Sequence, residues 1–146
     1  MEKKIQKQFV YDGFGFPVVL KNVPMTKARG RWTPNINYND LTMDVLKALA
    51  THGSRLTGAE VRFVRQASEM TLQEFAQRFD VSHPAVMKWE RAGASPTSMA
   101  WTTEKDVRLF IIDSFGGKPK ALVETYHRLE QPASERRRRV SMDLAA

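Results

Sequence analysis

The sequence predicts a mainly α-helical domain that contains a helix–turn–helix and follows a small β-hairpin arm. Two observations predict the helices: apolar residues recur at helical spacing between residues 39 and 131, and capping signals precede several of these runs. The hairpin is predicted because aromatic and β-branched residues flank an Asp-Gly pair near the N-terminus. We therefore expect a hairpin and loop arm at 1–38, a helical domain at 39–131 and a disordered basic tail at 132–146.

The hairpin is expected between Phe9 and Val23, with its turn at Asp12-Gly13. Residues 24–39 contain two prolines, a glycine and three asparagines, a composition that is typical of a loop. Asn39 or Asp40 is expected to cap the first helix, which ends near His52.

Five segments carry helix-start signals. Thr57 with Glu60 and Thr71 with Glu74 both have the spacing of a capping box, in which the hydroxyl accepts a backbone N–H and the carboxylate reaches back. The other expected starts are Ser82, the segment 103–106 and Pro119. The predicted core is formed by the apolar stripes of these helices, and includes Val61, Val64, Phe75, Phe79, Val86 and Trp89.

Composition excludes several classes of site. There are no cysteines, so disulfides, thiolate nucleophiles and cysteine-ligated metals are excluded, and the chain fits a cytoplasmic protein. No apolar run approaches the roughly 20 residues that a membrane helix needs, so no membrane partner is expected. Motifs for nucleophilic, phosphate-loop or metal catalysis are missing, so we expect neither an enzyme nor a cofactor.

Net charge favours an anionic partner. The chain carries a formal charge of +7, and nucleic acid is the first class to consider for such a balance. The charge lies at the ends, because residues 1–31 sum to +5, residues 132–146 sum to +2 and the stretch between is neutral. Seven basic side chains of the N-terminal part suit either DNA or an acidic partner: Lys3, Lys4, Lys7, Lys21, Lys27, Arg29 and Arg31.

The stretch from 71 to 92 meets the physical needs of a helix–turn–helix. Two helices that cross closely need a small residue at their contact, which Ala76 supplies, and the turn needs a left-handed residue, for which Asp80 is suited. Val86 and Trp89 can hold the second helix from inside. Its outer face then offers His83, Met87, Lys88 and Arg91.

The run from Leu56 to Gly93 resembles the XRE, or lambda-repressor-like, helix–turn–helix family. The matching positions are Met70, Thr71, Leu72, Phe75, Ala76, Asp80, Val81, Ser82, Val86, Trp89 and Glu90. The resemblance implies a lambda-repressor-like fold of five helices, in which the helix from Ser82 to Ala92 enters the major groove of DNA. Two positions depart from the family's pattern, since Leu72 replaces a glutamine and Asp80 a glycine, and both changes are expected to weaken or alter DNA binding.

The resemblance implies a set of DNA contacts. Lys88 is expected to contact guanine, Ala85 a thymine methyl group, and Ser82 and His83 phosphates or base acceptors. Arg78 and Arg91 are expected at phosphates. The exposed backbone N–H groups at the starts of the two helices of this motif add further sites that can bind an anion. The full predicted set is Thr71, Gln73, Arg78, Ser82, His83, Pro84, Ala85, Lys88 and Arg91.

A narrower resemblance is to antitoxins of the MqsA type. It is carried by Tyr11 to Gly15, Val18 to Leu20, Asn22 to Pro24, and Leu56 to Arg65. In that group the N-terminal part is a zinc ribbon, and the C-terminal helices dimerise and bind operator DNA. A ribbon needs four ligands, normally cysteines, and this chain offers only histidines at 52, 83 and 127, so we expect no bound metal.

These observations favour a sequence-specific DNA-binding repressor. By resemblance it is an antitoxin of a type II toxin–antitoxin system that autoregulates its operon as a homodimer on a palindromic operator, with half-sites about 34 Å apart. The helix at 104–115 is the expected dimer seam, because its apolar residues exceed one face. The alternative is a protein-interaction module that sequesters a toxin protein and has weak or lost DNA binding, which Leu72 and the neutral middle of the chain favour.

Overall fold

A computed structural model describes residues 1–145, within which the chain forms four strands and six helices. In chain order these are β1 (Lys3–Tyr11), β2 (Val18–Ala28), β3 (Arg31–Pro34), α1 (Tyr38–Thr51), α2 (Gly58–Ala67), α3 (Leu72–Arg78), α4 (His83–Arg91), α5 (Trp101–Ile111), α6 (Pro119–Arg128) and β4 (Val140–Asp143). A π-helical turn, Ile112–Gly116, continues α5. The expected mainly α, lambda-repressor-like fold of five helices is therefore wrong, because a four-stranded mixed sheet and a sixth helix belong to the structure.

The chain divides into two compact units. The first contains residues 1–45 and the residues from 139 onward, and the second contains residues 46–138. The predicted boundaries at 38/39 and 131/132 stay a prediction. All four strands belong to the first unit, and helices α2 to α6 belong to the second.

The sheet of the first unit is built around β2. β1 pairs antiparallel along one side of β2, with Phe9 opposite Leu20. β3 pairs antiparallel with the C-terminal end of β2, and β4 pairs parallel with its N-terminal end, where Val18 lies opposite Val140. The sheet is therefore mixed, and its longest strand, β2, is central.

A change of side-chain parity explains why the sequence did not indicate the full length of β2. Val18 and Leu20 are buried, and so are Val23 and Met25, so the inward positions shift by one residue between the two pairs. Asn22 lies at the shift with a left-handed φ of 55°. A strand is recognised in sequence by strict alternation, and this residue interrupts it.

β3 occupies part of the predicted loop at 24–39. Arg29 and Gly30 have φ of 52° and 76°, as a two-residue type I′ hairpin turn requires, and they join β2 to β3. Pro24 lies within β2 and its carbonyl oxygen accepts the N–H of Asn35 at 2.8 Å. A proline inside a strand is uncommon, which is why this segment reads as a loop.

The predicted disordered tail contains ordered structure. Within 132–145, β4 extends the sheet, Val140 is buried, and the N–H of Leu144 donates to the Lys21 carbonyl at 2.9 Å. The side chain of Asn22 also donates to Asp143 Oδ1 at 2.9 Å, and this bond and the Ala145 N–H lower the pKa of the Asp143 carboxyl. Residue 146 lies outside the described residues. The residues that stabilise β4 lie far away in the sequence. The composition of the segment itself therefore looks like that of a solvated tail.

Most local helix signals are confirmed. Both capping boxes are present, at Thr57 with Glu60 and at Thr71 with Glu74. α1 begins at Tyr38, two to three residues earlier than a cap at Asn39 or Asp40 predicts, because the side chain of Asn37 accepts the N–H groups of those two residues at 3.0 and 3.2 Å. α5 starts at Trp101 without a side-chain cap, ahead of the predicted 103–106. The predicted core residues are all buried: Val61, Val64, Phe75, Phe79, Val86 and Trp89.

No helix within residues 1–145 has both the length and the apolar character needed to cross a lipid bilayer.

Candidate nucleic-acid interface

The segment predicted as a helix–turn–helix folds as two helices. α3 and α4 pack against each other and are joined by a turn, Phe79–Ser82. We call α3, this turn and α4 the helix–turn–helix segment. The predicted left-handed residue is confirmed, since Asp80 has a φ of 55°, and the N–H of Val81 returns to the Ala76 carbonyl at 3.0 Å. The turn therefore ends α3 sharply and redirects the chain into α4.

α3 starts with an exposed capping box. The Thr71 hydroxyl accepts the Glu74 N–H at 3.1 Å, and Glu74 Oε1 accepts the Thr71 N–H at 3.0 Å. Hydrogen bonding of the Glu74 carboxyl to the backbone N–H and then to the side chain of Thr71 lowers the pKa of that carboxyl, because it favours the charged form. Thr71 and Gln73 are both exposed, whereas Leu72 is half-buried and has no hydrogen-bonding group to offer a phosphate.

α4 presents polar side chains outward and apolar ones inward. Ser82 caps the helix by accepting the Ala85 N–H at 3.2 Å, and Pro84 is accommodated in the first turn. Val86 and Trp89 are buried, as predicted. The predicted contact residues Ser82, His83, Pro84, Lys88 and Arg91 are all exposed, as is the apolar Met87, and Ala85 is half-buried.

An ion pair fixes α4 to α2. Arg65 Nε lies 2.6 Å and Arg65 Nη2 3.0 Å from the two carboxylate oxygens of Glu90, a bidentate geometry. Arg65 Nη1 also donates to the Met70 carbonyl at 3.0 Å, just before α3 begins. One guanidinium therefore ties α2, the start of α3 and the C-terminal half of α4 together.

Gly58 allows the first turn of α2 to lie directly against the end of α4. A Cβ at this position would be 2.4 Å from the Trp89 carbonyl oxygen and 2.6 Å from the Gly93 nitrogen. The close approach lets the N–H of Ala59 donate to the Gly93 carbonyl at 2.9 Å. The end of α4 is therefore held by backbone as well as by charge.

Arg78 lies apart from the other predicted DNA contacts. Its guanidinium is 3.6 Å from Asp106 on α5, and it stacks over the rings of Phe79 and Phe110 at about 5 Å. The structure therefore places this side chain towards α5, although 42% of its surface stays exposed. The predicted phosphate role of Arg78 would require it to leave these contacts.

A buried ionic network supports the start of α2. Glu104 and Arg108 on α5 are fully buried and joined at 2.8 Å, and Arg55 donates to the other Glu104 oxygen at 2.9 Å. Burial lowers the pKa of the Arg108 guanidinium, and the charge of Glu104 opposes that shift. Glu60 is also fully buried, and its carboxylate accepts Arg137 at 2.5 Å and the Thr57 N–H at 2.9 Å. Each of the two buried carboxylates therefore has at least one arginine partner, as buried charges require.

Sequence reasoning missed Arg65, Gly58 and Arg137 as positioning residues. Arg65 and Glu90 are 25 positions apart and Arg137 and Glu60 are 77 apart, so no helical spacing relates them. The only local hint at Gly58 was that a glycine occupies the first turn of a capped helix.

Comparison of the chain with models of known protein families, with curated proteins and with solved structures finds no match. The resemblance to the XRE family and to MqsA-type antitoxins stays a prediction drawn from the motif residues. The structure leaves Ser82 and His83 exposed at the start of α4, Lys88 and Arg91 exposed along it, and Thr71 and Gln73 exposed at the start of α3.

Proposed function

We propose that this protein binds double-stranded DNA through α4 and represses transcription from the DNA it occupies. The observation that carries the proposal is that α4 has one buried side and one exposed side. Its inner side is immobilised by Val86, Trp89 and the Arg65–Glu90 ion pair, while its outer side presents donors that nothing within the described chain uses. A helix held rigidly with free polar groups on one face is what base reading in a major groove requires.

The charged residues of α4 also favour DNA binding through this helix. Lys88 and Arg91 have no ion-pair partner among residues 1–145, so both are available to phosphates or bases. Asp80 in the turn is exposed and adds one negative charge to the helix–turn–helix segment. The affinity is therefore expected to depend on few cationic contacts and to have a modest dependence on salt concentration.

The test is a titration of the full chain against its own upstream DNA and against a scrambled duplex of equal length, at several salt concentrations. We expect the upstream DNA to be bound more tightly, with an affinity that falls as salt rises. Equal binding of both duplexes, or no binding at low salt, would contradict the proposal.

We further propose that the repressor is a homodimer, and that the antitoxin function implied by the resemblance operates by autoregulation of its operon. α5 and α6 enclose an open groove of about 420 Å³ lined by Leu109, Phe110, Leu122, Val123 and Tyr126. Val123 and Tyr126 are 55% and 48% exposed, which is unusual for apolar residues that line one groove. Arg78, Asp106 and Asp113 also line this groove, so two copies related by a two-fold axis can place opposite charges against each other.

The dimer is tested by sedimentation of the wild type and of Val123→Glu. We expect the wild type to sediment as a dimer and the variant as a monomer with unchanged helix content. Glu130→Gln, which changes charge on an exposed residue outside the groove, serves as the control. A wild-type monomer at all concentrations would contradict the dimer without affecting α4.

The second candidate function is sequestration of a toxin protein without specific DNA binding. Two observations favour it: Leu72 offers no hydrogen bond at the start of α3, and Arg78 is engaged by Asp106. Co-purification of the full chain with the product of an adjacent reading frame, combined with failure of the DNA titration, would favour this function over repression.

A further inference from the structure

A polar cavity in the second unit is separate from the proposed DNA-binding face. It has a volume of about 470 Å³ and lies among α1, the π-helical turn and α6. Pockets that hold small ligands are commonly about 300–1,000 Å³, so this one has the capacity for a small metabolite. Its wall is formed partly by the π-helical turn, an irregularity that frequently accompanies functional sites.

Two cations from different helices reach this cavity. Lys47 lies on α1 and Arg128 on α6, and neither has an ion-pair partner within residues 1–145. Glu124 supplies a carboxylate to the cavity lining. Its side chain forms a solvent-exposed ion pair with Lys120 at 3.9 Å. Two positive charges from Lys47 and Arg128 therefore face one negative charge, and the cavity carries a net positive charge.

Two threonine hydroxyls complete the polar lining. Thr51 lies one turn beyond Lys47 on α1, and Thr125 lies one turn before Arg128 on α6. Hydroxyls inside helices often donate to the carbonyl four residues back, as Thr42 does at 2.8 Å. Neither Thr51 nor Thr125 makes a hydrogen bond through its hydroxyl to any described residue, although Thr125 is only 5% exposed. Within residues 1–145, Arg137 Nη1 is the fully buried side-chain polar atom that lacks a partner, so the Thr51 and Thr125 hydroxyls are open to the cavity and free to donate to a ligand there.

We propose that this cavity binds a small organic oxyanion, through a carboxylate or phosphate group placed between Lys47 and Arg128. The guanidinium and ammonium provide charge-assisted hydrogen bonds, and the hydroxyls of Thr51 and Thr125 donate to the remaining oxygens. Ile112 and Ala121 supply an apolar wall for the carbon part of the ligand. The proposal does not depend on the proposed DNA binding, and it is tested in the absence of DNA.

The experiment is a titration of the full-length, isotope-labelled chain with three probes at constant ionic strength: inorganic phosphate, citrate and adenosine 5′-monophosphate. We expect at least one probe to bind with a Kd below about 1 mM. We also expect it to shift the amide signals of Ile112–Gly116 and of the second half of α6. Binding of citrate alone identifies a carboxylate ligand, and binding of phosphate or the nucleotide identifies a phosphorylated one.

Variants locate the binding. Lys47→Ala and Arg128→Ala are each expected to weaken the bound probe about tenfold, since a charged hydrogen bond contributes about 1.5–3 kcal/mol. Thr125→Val should also weaken it, whereas Thr125→Ser, which keeps the hydroxyl, should restore binding. Lys118→Ala is the matched control, because Lys118 is an exposed cation just before α6 that does not line the cavity and has no ion-pair partner within residues 1–145.

Three outcomes would overturn the proposal. The first is that no probe shifts the signals of the cavity. The second is that Lys118→Ala weakens binding as much as Arg128→Ala, because the attraction would then be a general effect of surface charge. The third is that Thr125→Val, folded as shown by its amide spectrum, binds the probe as the wild type does.

Discussion

Arg65 and Glu90 form a bidentate ion pair that joins α2 to α4, and both side chains are more than four-fifths buried. Arg65 simultaneously holds the carbonyl of Met70 at the entrance to α3. Arg65 therefore sets the orientation of the outward face of α4, although Arg65 itself lies on α2. We expect such a positioning residue to affect both stability and DNA binding.

The first prediction concerns this ion pair. Arg65→Ala and Glu90→Ala are each expected to lower the free energy of unfolding by about 1.5–3 kcal/mol, since each leaves a partly buried charge without its partner. In a double-mutant cycle measured by urea denaturation, the double variant should be less destabilised than the sum of the two. Arg62→Ala is the control on the same helix, because Arg62 is exposed and has no partner within residues 1–145. Additive effects would show that the pair contributes no coupling.

The second prediction concerns Gly58. Gly58→Ala places a Cβ 2.4 Å from the Trp89 carbonyl oxygen, and backbone cannot move away as a flexible side chain can. We expect a loss of about 1–3 kcal/mol, typical of overpacking, measured as a lower urea midpoint. Gly53→Ala is the matched control, since its Cβ would meet no atom within 4 Å. Equal stability of the two variants would contradict the close packing of α2 on α4.

The third prediction concerns the segment that the sequence indicates is disordered. Arg137→Ala removes the partner of the fully buried Glu60 carboxylate, and we expect a destabilisation of about 1.5–3 kcal/mol by thermal or urea unfolding. Arg136→Ala should be nearly neutral, because Arg136 is exposed and its recorded bonds use only its backbone. A neutral Arg137→Ala would mean that residues 132–138 do not pack as the structure shows.

The fourth prediction concerns acid stability. The capping box lowers the pKa of Glu74 below its ordinary value of 4.5, so the unfolded state binds the proton more readily than the folded state. The stabilisation is complete above pH 4.5 and is lost as the pH falls through the lowered folded-state pKa. Glu74→Gln keeps a capping side chain but cannot titrate, so its stability should fall less steeply below pH 4.5. Parallel pH profiles for the wild type and the variant would contradict this.

The fifth prediction concerns base reading. Lys88→Ala is expected to relax selectivity at one base pair of the operator and to cost about 1–3 kcal/mol there, measured by competition with duplexes substituted at each position. Arg91→Ala should weaken all duplexes alike and reduce the salt dependence. Arg78→Ala should have a smaller effect than Arg91→Ala, because Asp106 and the Phe110 ring already engage Arg78. Unchanged selectivity of the Lys88 variant would refute its assigned contact.

The features that the sequence determined by itself are those whose physical causes lie within a few residues of each other. The capping boxes at Thr57 and Thr71, the left-handed turn at Asp80 and the buried stripe with Phe75 and Trp89 were all predicted and are confirmed. Each depends on a local hydrogen bond, a local φ or helical periodicity, and these are visible in the order of the residues. The DNA-binding role of the face that they produce remains a prediction.

The features that only the tertiary structure decided depend on contacts between residues that are distant in sequence. The pairing of β4 with β2 and the ion pair of Glu60 with Arg137 join positions with no common period. Asn22 and Asp143, for example, are bonded across 121 positions. A polar segment such as 132–145 acquires order only when another part of the chain satisfies its backbone groups, and composition carries no record of where that part lies. The same reason hid the cavity between α1 and α6, because a cavity is defined by how separate helices pack.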